Sequence, residues 1–382
     1  MSDLSLVQRI RQEMPATTAH VYFNTGTFGP TPNCVLQAME KRLQEEHQQG
    51  RLGLWDATSA LFDDARTRVA HLLNADKDEI ALTGNTGEGM NIISYGINWQ
   101  QGDEIITTNH EHHNALGPLY QIRDRYGAVL RIADIGPLGE RPVLEAITNL
   151  VTPRTRLIVL SHVLWTTGVV LNISEVCAMG REFGIPILID GAQSAGALSV
   201  DVKALGVDFY AIPGQKWLCG PDGTGALYVR RKAQSSVAST YVSFFSVKHE
   251  EGVEWELHEN AQRFEMGGYH PAAVAGQVAA LQWLEKTVGY EWLFERIAAL
   301  NIYAYTMLKS VPGLTMLTPK PMSGLLSFTL EGRDVKEVVM HLREKHNIYI
   351  RDIPAMKCLR VSTGFYNTEE DVDRLIEALK EC

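Results

Sequence analysis

Ile185-Pro-Ile-Leu-Ile-Asp190-Gly-Ala-Gln193 is an apolar, β-branched run that ends in an acid. Such a run is the signature of a strand buried on both faces of a parallel sheet, with a functional group at its carboxyl end. A carboxylate at that end points into the crevice where open α/β sheets bind ligands. Another short apolar run, Val207-Asp-Phe-Tyr-Ala-Ile212, leads into Pro213-Gly-Gln-Lys216-Trp-Leu-Cys-Gly, a single lysine among glycines. Pyridoxal 5′-phosphate (PLP) requires this pair of groups. A lysine amine forms a Schiff base with it, and an acid keeps the pyridine nitrogen protonated so that the ring acts as an electron sink. Taken alone, the pair reads more readily as a helix N-cap and a surface charge, so its neighbours decide.

Upstream, Ile80-Ala-Leu-Thr-Gly84-Asn-Thr86-Gly87-Glu88-Gly89 turns from strand to helix through glycines. Free N–H groups of a helix's first turn and the macrodipole favour an anion there, and small residues allow close approach. The stretch is neither a Walker loop nor GxGxxG. Beside Asp190 and Lys216 it reads as the phosphate anchor, with Thr86 as side-chain donor and Gly87 and Glu88 offering backbone amides. Glu104-Ile-Ile-Thr-Thr-Asn-His-Glu111-His112-His113 is a further strand ending in histidines. Adjacent histidines point apart and chelate poorly. One of them suits proton transfer, because imidazole titrates near the working pH.

These motifs, in this order, resemble the cofactor core of the class V aminotransferases, which include cysteine desulfurases, cysteine and cystine lyases, and isopenicillin N epimerases. The carriers are Leu188-Ile-Asp-Gly-Ala-Gln-Ser-Ala-Gly196 and Gly-Gln-Lys-Trp-Leu-Cys-Gly-Pro-Asp-Gly-Thr-Gly-Ala-Leu-Tyr-Val229, and the likeness runs from about Tyr22 onward. It implies fold type I: a large α/β domain with a mainly parallel, seven-stranded-type sheet, and a small α+β domain. The expected division is 16–262 for the first and 263–382 with 1–15 for the second. It further implies PLP as cofactor, His112 stacked on its ring, and Gln193 on the ring hydroxyl. Gln215 and, from the partner of a homodimer with shared active sites, Gly268 are expected beside the cofactor. Asn24 and Gly26, in Tyr22-Phe-Asn-Thr-Gly-Thr-Phe-Gly-Pro-Thr-Pro32, are expected in the substrate pocket, with Trp165. An amino-acid substrate needs a bidentate partner for its carboxylate, and Arg360 falls where the family's arginine does.

Departures narrow the reaction. Trp165-Thr-Thr-Gly168 is closer to the cystine-lyase branch than to the desulfurases, with Thr166 where that branch has asparagine. Pro213, Gln215 and Gly268 replace hydroxyl and imidazole side chains of many relatives. Ile350-Arg351-Asp-Ile-Pro-Ala-Met-Lys-Cys358 is too short for the mobile loop that carries a desulfurase's nucleophilic cysteine. Cys358 and Cys219 read as packing residues. The expectation is therefore a PLP-dependent cysteine or cystine C–S lyase working by β-elimination. An amino-acid epimerase, a desulfurase and a non-catalytic PLP-fold protein are the alternatives.

Composition agrees. The 382 residues exceed one ordinary core, with 45% apolar and 21% charged residues. A net charge of −10 without any basic run argues against nucleic-acid binding. The five cysteines lack metal or disulfide spacing, no apolar run has membrane-spanning length, and Met1-Ser-Asp-Leu-Ser-Leu does not read as a leader. A cytoplasmic protein without metal is expected.

Overall fold

The computed structural model describes residues 3–382, with side chains from Ser5 onward. Met1, Ser2 and the Leu4 side chain lie outside the described residues. Seven strands form the large sheet: β1 (Ile80–Thr83), β2 (Glu104–Thr108), β3 (Val129–Ala133), β4 (Thr155–Ser161), β5 (Ile187–Asp190), β6 (Phe209–Pro213) and β7 (Gly225–Val229). Their spatial order is β1-β7-β6-β5-β4-β2-β3. Only β7 runs antiparallel to its neighbours; β2 to β6 pair in parallel. The mainly parallel sheet read from the sequence is the one observed.

Period-two alternation explains how both faces are covered. Ile106, Ile158, Leu160, Ile187, Ile189, Tyr210 and Ile212 enter one buried cluster. Their alternates Ile105, Leu157, Val159, Leu188, Phe209 and Ala211 enter the other. The sheet is thus a middle layer, and the continuous apolar runs of β4 to β6 follow from burial on both sides. β3 is the exception. It is an edge strand, with Val129 and Ile132 exposed.

A second sheet is antiparallel: β8 (Leu314–Met316), β9 (Leu325–Leu330), β10 (Arg351–Ile353) and β11 (Cys358–Ser362), in the order β8-β9-β11-β10. Leu326, Phe328, Leu359 and Val361 pack there against Leu342 and Leu375 of the helices Val335–His346 and Glu369–Lys380. Arg11 of the first helix pairs with Asp371 at 2.6 Å. Val21–Tyr22 pairs in parallel with Ile348–Tyr349, and the Ser362 N–H donates to the Phe23 carbonyl at 2.8 Å. Those bonds carry the Tyr22–Pro32 loop from the small sheet to the edge of the large one.

Pro15 opens a short helix after the first one, Pro15–Ala19, at a position where its missing N–H costs nothing. The helix His113–Tyr126 begins directly after His112, which caps it. Residues 235–260 contain an exposed hairpin, Val247–Glu251 with Glu254–Leu257.

Candidate active site

Parallel strands deliver their carboxyl ends to one edge, and there the chemistry collects. Register places Asp190 beside Ser161 on one side and Ala211 on the other. Five segments leave this edge: from β1 to Thr86, from β2 to His112, from β4 to Trp165, from β5 to Gln193 and from β6 to Lys216. Cross-links hold them in place. The Trp217 Nε1–H donates to Gln193 Oε1 at 3.0 Å, and the Gln193 Nε2–H donates to the Gly26 carbonyl at 2.8 Å. The Gly29 N–H donates to the Gln215 carbonyl at 2.7 Å. A side chain at Gly29 would begin 2.0 Å from the Lys216 carbonyl, and one at Gly26 within 3.0 Å of Leu325, Ser362 and Gln193. Only glycine lets this loop lie against the lysine segment.

Thr86 opens the helix Thr86–Gly96, whose cap Asn85 accepts from the Glu88 N–H at 3.0 Å. That amide, expected from the sequence to be a phosphate donor, is already used by the helix cap. The Glu88 carboxylate accepts instead from the Gly84 N–H at 2.7 Å. Thr86 Oγ1 and Gln215 Oε1 are buried without partners. A buried polar atom without a partner costs about 1–3 kcal/mol and asks for a ligand. Asp190 is buried, accepts from the Ala192 N–H at 2.8 Å, and is pushed above the usual carboxylate range by burial. Lys216 is its electrostatic complement. Burial pulls the ammonium down to about 8, with Asp190 opposing and Arg360 and Arg351 assisting. The set fits a ligand that brings an anion to a helix N-terminus, a cationic ring nitrogen to Asp190 and an electrophilic carbon to a lysine. These are the three groups of PLP.

His112 differs from its sequence reading in one respect. Its Nδ1 accepts from the Asn114 N–H at 3.2 Å, so the proton of the neutral ring sits on Nε2. Burial, then Lys216, His113, Arg351 and Arg360, drive its pKa down to about 4. The imidazole is therefore neutral at working pH rather than half-titrated. It meets the Trp165 ring edge-on, with centroids 5.1 Å apart. His113 is exposed, and His110 is satisfied by Thr166 and the Gly136 carbonyl. Glu111 is buried between the Thr108 and Ser161 hydroxyls, both at 2.6 Å, and burial raises it to about 7.

Arg360 is 1% exposed. Its Nη1 donates to the Trp165 carbonyl at 2.8 Å and its Nη2 to Thr27 Oγ1 at 3.3 Å, while Nε is buried without a partner. Sequence reading missed its companion. Arg351 stands directly opposite Arg360 across the β10–β11 ladder and donates to the same Thr27 Oγ1 at 3.2 Å. Like charges facing one another across a ladder repel. Among the described residues no carboxylate pairs with either guanidinium, an arrangement that suits an anion. The signal was available: Arg351 and Arg360 lie on strands joined by a tight turn, hence on one face. Trp165 Nε1 and Ser362 Oγ are likewise buried and unpartnered. Asn24 bridges to Ser362, and its Oδ1 accepts from Thr27 Oγ1 at 2.7 Å. Gly268 stands apart from these groups, exposed and with φ +72.

None of the five thiols has an activated environment. Burial raises Cys34, Cys177, Cys219, Cys358 and Cys382 alike, Cys358 to about 11. Cys358 is fully buried in β11, and Cys219 is buried just after Lys216.

The chain resembles known proteins along nearly its full length. A probable cysteine desulfurase of Methanothermobacter thermautotrophicus is 30% identical, covering 97% of each chain. One from Pseudomonas aeruginosa is 31% identical, covering 98% of each. Among solved structures, the cystine C–S lyase C-DES in complex with its reaction product cysteine persulfide superposes with a TM-score of 0.92 at 30% identity, covering 96% of this chain and 99% of that one. A C-DES mutant with glycine covalently linked to its PLP cofactor superposes equally well. The cysteine desulfurase CsdA of Escherichia coli follows at 0.86 and 26% identity, covering 98% of each. The class-V aminotransferase family model matches residues 21–375, and with a lysine, an acid and a helix N-terminus gathered at one sheet edge, the chain belongs to that family.

Proposed function

We propose that this protein is a PLP-dependent C–S lyase that acts on cystine or cysteine. Bound at the sheet edge, PLP supplies the electron sink that acidifies the substrate's α-proton and lets the β-sulfur leave. Lys216 is the covalent anchor and the base for that proton; its lowered pKa keeps a usable fraction of free amine near neutrality. Asp190 holds the ring nitrogen protonated. Thr86 and Gly87 hold the phosphate, Gln215 and Gln193 border the cofactor, and the neutral His112 covers its face. Arg360 takes the α-carboxylate, and Asn24, Gly26 and Trp165 bound the substrate. For cystine the balance is one water consumed, with pyruvate, ammonia and cysteine persulfide formed.

One observation carries lyase over desulfurase: β10 and β11 are joined only by the residues 354–357, and Cys358 is buried in the strand with its thiol raised to about 11. No thiol stands poised to take sulfur. The Arg351–Arg360 pair favours a substrate with two carboxylates, which cystine has and cysteine lacks. Exposed Phe244, Val253 and Trp255 on and beside the Val247–Leu257 hairpin, with Trp55, form an apolar surface that suits a homodimer. Five free cysteines fit the reducing cytoplasm; among the described residues no helix is long and apolar enough to cross a membrane.

Steady-state turnover of both substrates, followed as pyruvate, tests the arginine assignment. Arg360→Ala should lower kcat/KM for cystine and cysteine alike by about 10²-fold or more, since a buried charged contact is lost. Arg351→Gln should raise KM for cystine by about tenfold and leave cysteine nearly unchanged. Equal effects of Arg351→Gln on the two substrates would refute the dicarboxylate reading.

A further inference from the structure

The helix Val335–His346 ends where Asn347 turns left-handed (φ 58). His346 closes it, five residues after His341. At about 100° per residue that spacing points two side chains some 140° apart on the helix, so their convergence is not a by-product of helical geometry. Yet their Nε2 atoms face one another at 3.3 Å. Glu381, just past the helix Glu369–Lys380, brings Oε2 to 3.3 Å from the same His346 nitrogen. The three ligand atoms all lie within 4.8 Å of one another. A ring nitrogen carries at most one N–H, so His346 cannot satisfy both neighbours with hydrogen bonds. A metal can. With zinc–nitrogen bonds of about 2.0–2.1 Å, the edge of a tetrahedral site is about 3.3–3.4 Å.

The surroundings suit a cation. The cleft is lined by the carboxylates Asp334, Glu337 and Glu381 against one guanidinium, Arg333. The carboxyl end of the Val335–His346 macrodipole adds negative potential. Cys382 lines the same cleft. None of these residues belongs to the site at the large sheet.

We infer that His341, His346 and Glu381 form a binding site for a divalent transition-metal ion of the zinc class, with one position left to solvent. Two imidazoles and a carboxylate are the donors such ions prefer over magnesium or calcium. Bound there, the ion ties the end of one small-domain helix to the end of another.

Calorimetric titration of untagged, chelator-stripped, PLP-loaded full-length protein with zinc chloride tests this. One ion per chain at low-micromolar affinity is expected, with a melting temperature raised by bound zinc. His341→Gln and His346→Gln should each weaken binding by about tenfold or more, and the double variant should abolish both signals at unchanged basal turnover. Glu381→Gln, at an exposed residue that folding tolerates, should weaken binding several-fold. Zinc uptake by the double variant at unchanged affinity and stoichiometry, or none by the wild type, would overturn the site and leave only an imidazole–imidazole hydrogen bond.

Discussion

Burial opposes the Lys216 charge, Asp190 favours it and two arginines oppose it further, and opposition wins: its pKa is pulled down to about 8. Only the unprotonated amine attacks a carbonyl carbon. The direction is fixed by the sign of the shift: a lowered lysine pKa moves the free amine into a lower pH range. Adding PLP to the cofactor-free protein should therefore give a capture rate that climbs about tenfold per pH unit below 8 and levels above it. Stopped-flow absorbance would reveal it. A midpoint near the ordinary lysine value of 10.5 would mean that the ammonium is not destabilised in this site. The pairing of Lys216 with Asp190 was legible in the sequence because each closes an apolar run. The opposing effects were not, since burial depends on the whole packing and Arg351 and Arg360 reach the lysine from the second sheet.

Elements are held to one another by a few buried polar ties, and one of them is a bidentate pair at the start of the Gly267-Gly268 segment. Glu265 is fully buried, and the Arg66 Nε and Nη2 donate to its two oxygens, each at 2.7 Å; Oε1 also takes the Leu82 N–H at 2.8 Å. The tie fixes the start of Met266-Gly267-Gly268 against β1 and the helix Trp55–Leu73. Gly267 follows with φ +77, and a side chain there would lie 2.3 Å from the Phe245 ring. Glu265→Ala leaves Arg66 buried without its bidentate partner and should cost about 3–5 kcal/mol by denaturant unfolding. If the Gly268 segment reaches a partner's cofactor, as the family resemblance implies, the same variant should also dissociate more readily in analytical ultracentrifugation. A loss below 1 kcal/mol with unchanged association would contradict both roles. The partner of this acid, 199 residues away, had no local signal in the sequence.

At the scale of the whole molecule, alternation of apolar runs and amphipathic stretches was enough to read a parallel α/β sheet. Each run of β4 to β6 had to be covered on both faces, and only that architecture covers them. The antiparallel β7 escaped, because its run Gly225–Val229 looks like any other buried strand and only the crossover decides its direction. The gathering of Asp190, Lys216 and Thr86 at one sheet edge was legible, because a strand's end dictates it. The site was illegible where the setting mattered more than position: burial first, and then the surrounding cations, drive the His112 pKa down to about 4, away from the value its residue type suggests. What the molecule does with sulfur rests on the missing loop between β10 and β11. The most direct measurement is the product balance with cystine and with cysteine. Pyruvate and ammonia in equal amounts, no alanine, no protein-bound persulfide by mass spectrometry, and the same yields from Cys358→Ala are predicted. Alanine formed together with a persulfide on the wild-type chain would contradict the account.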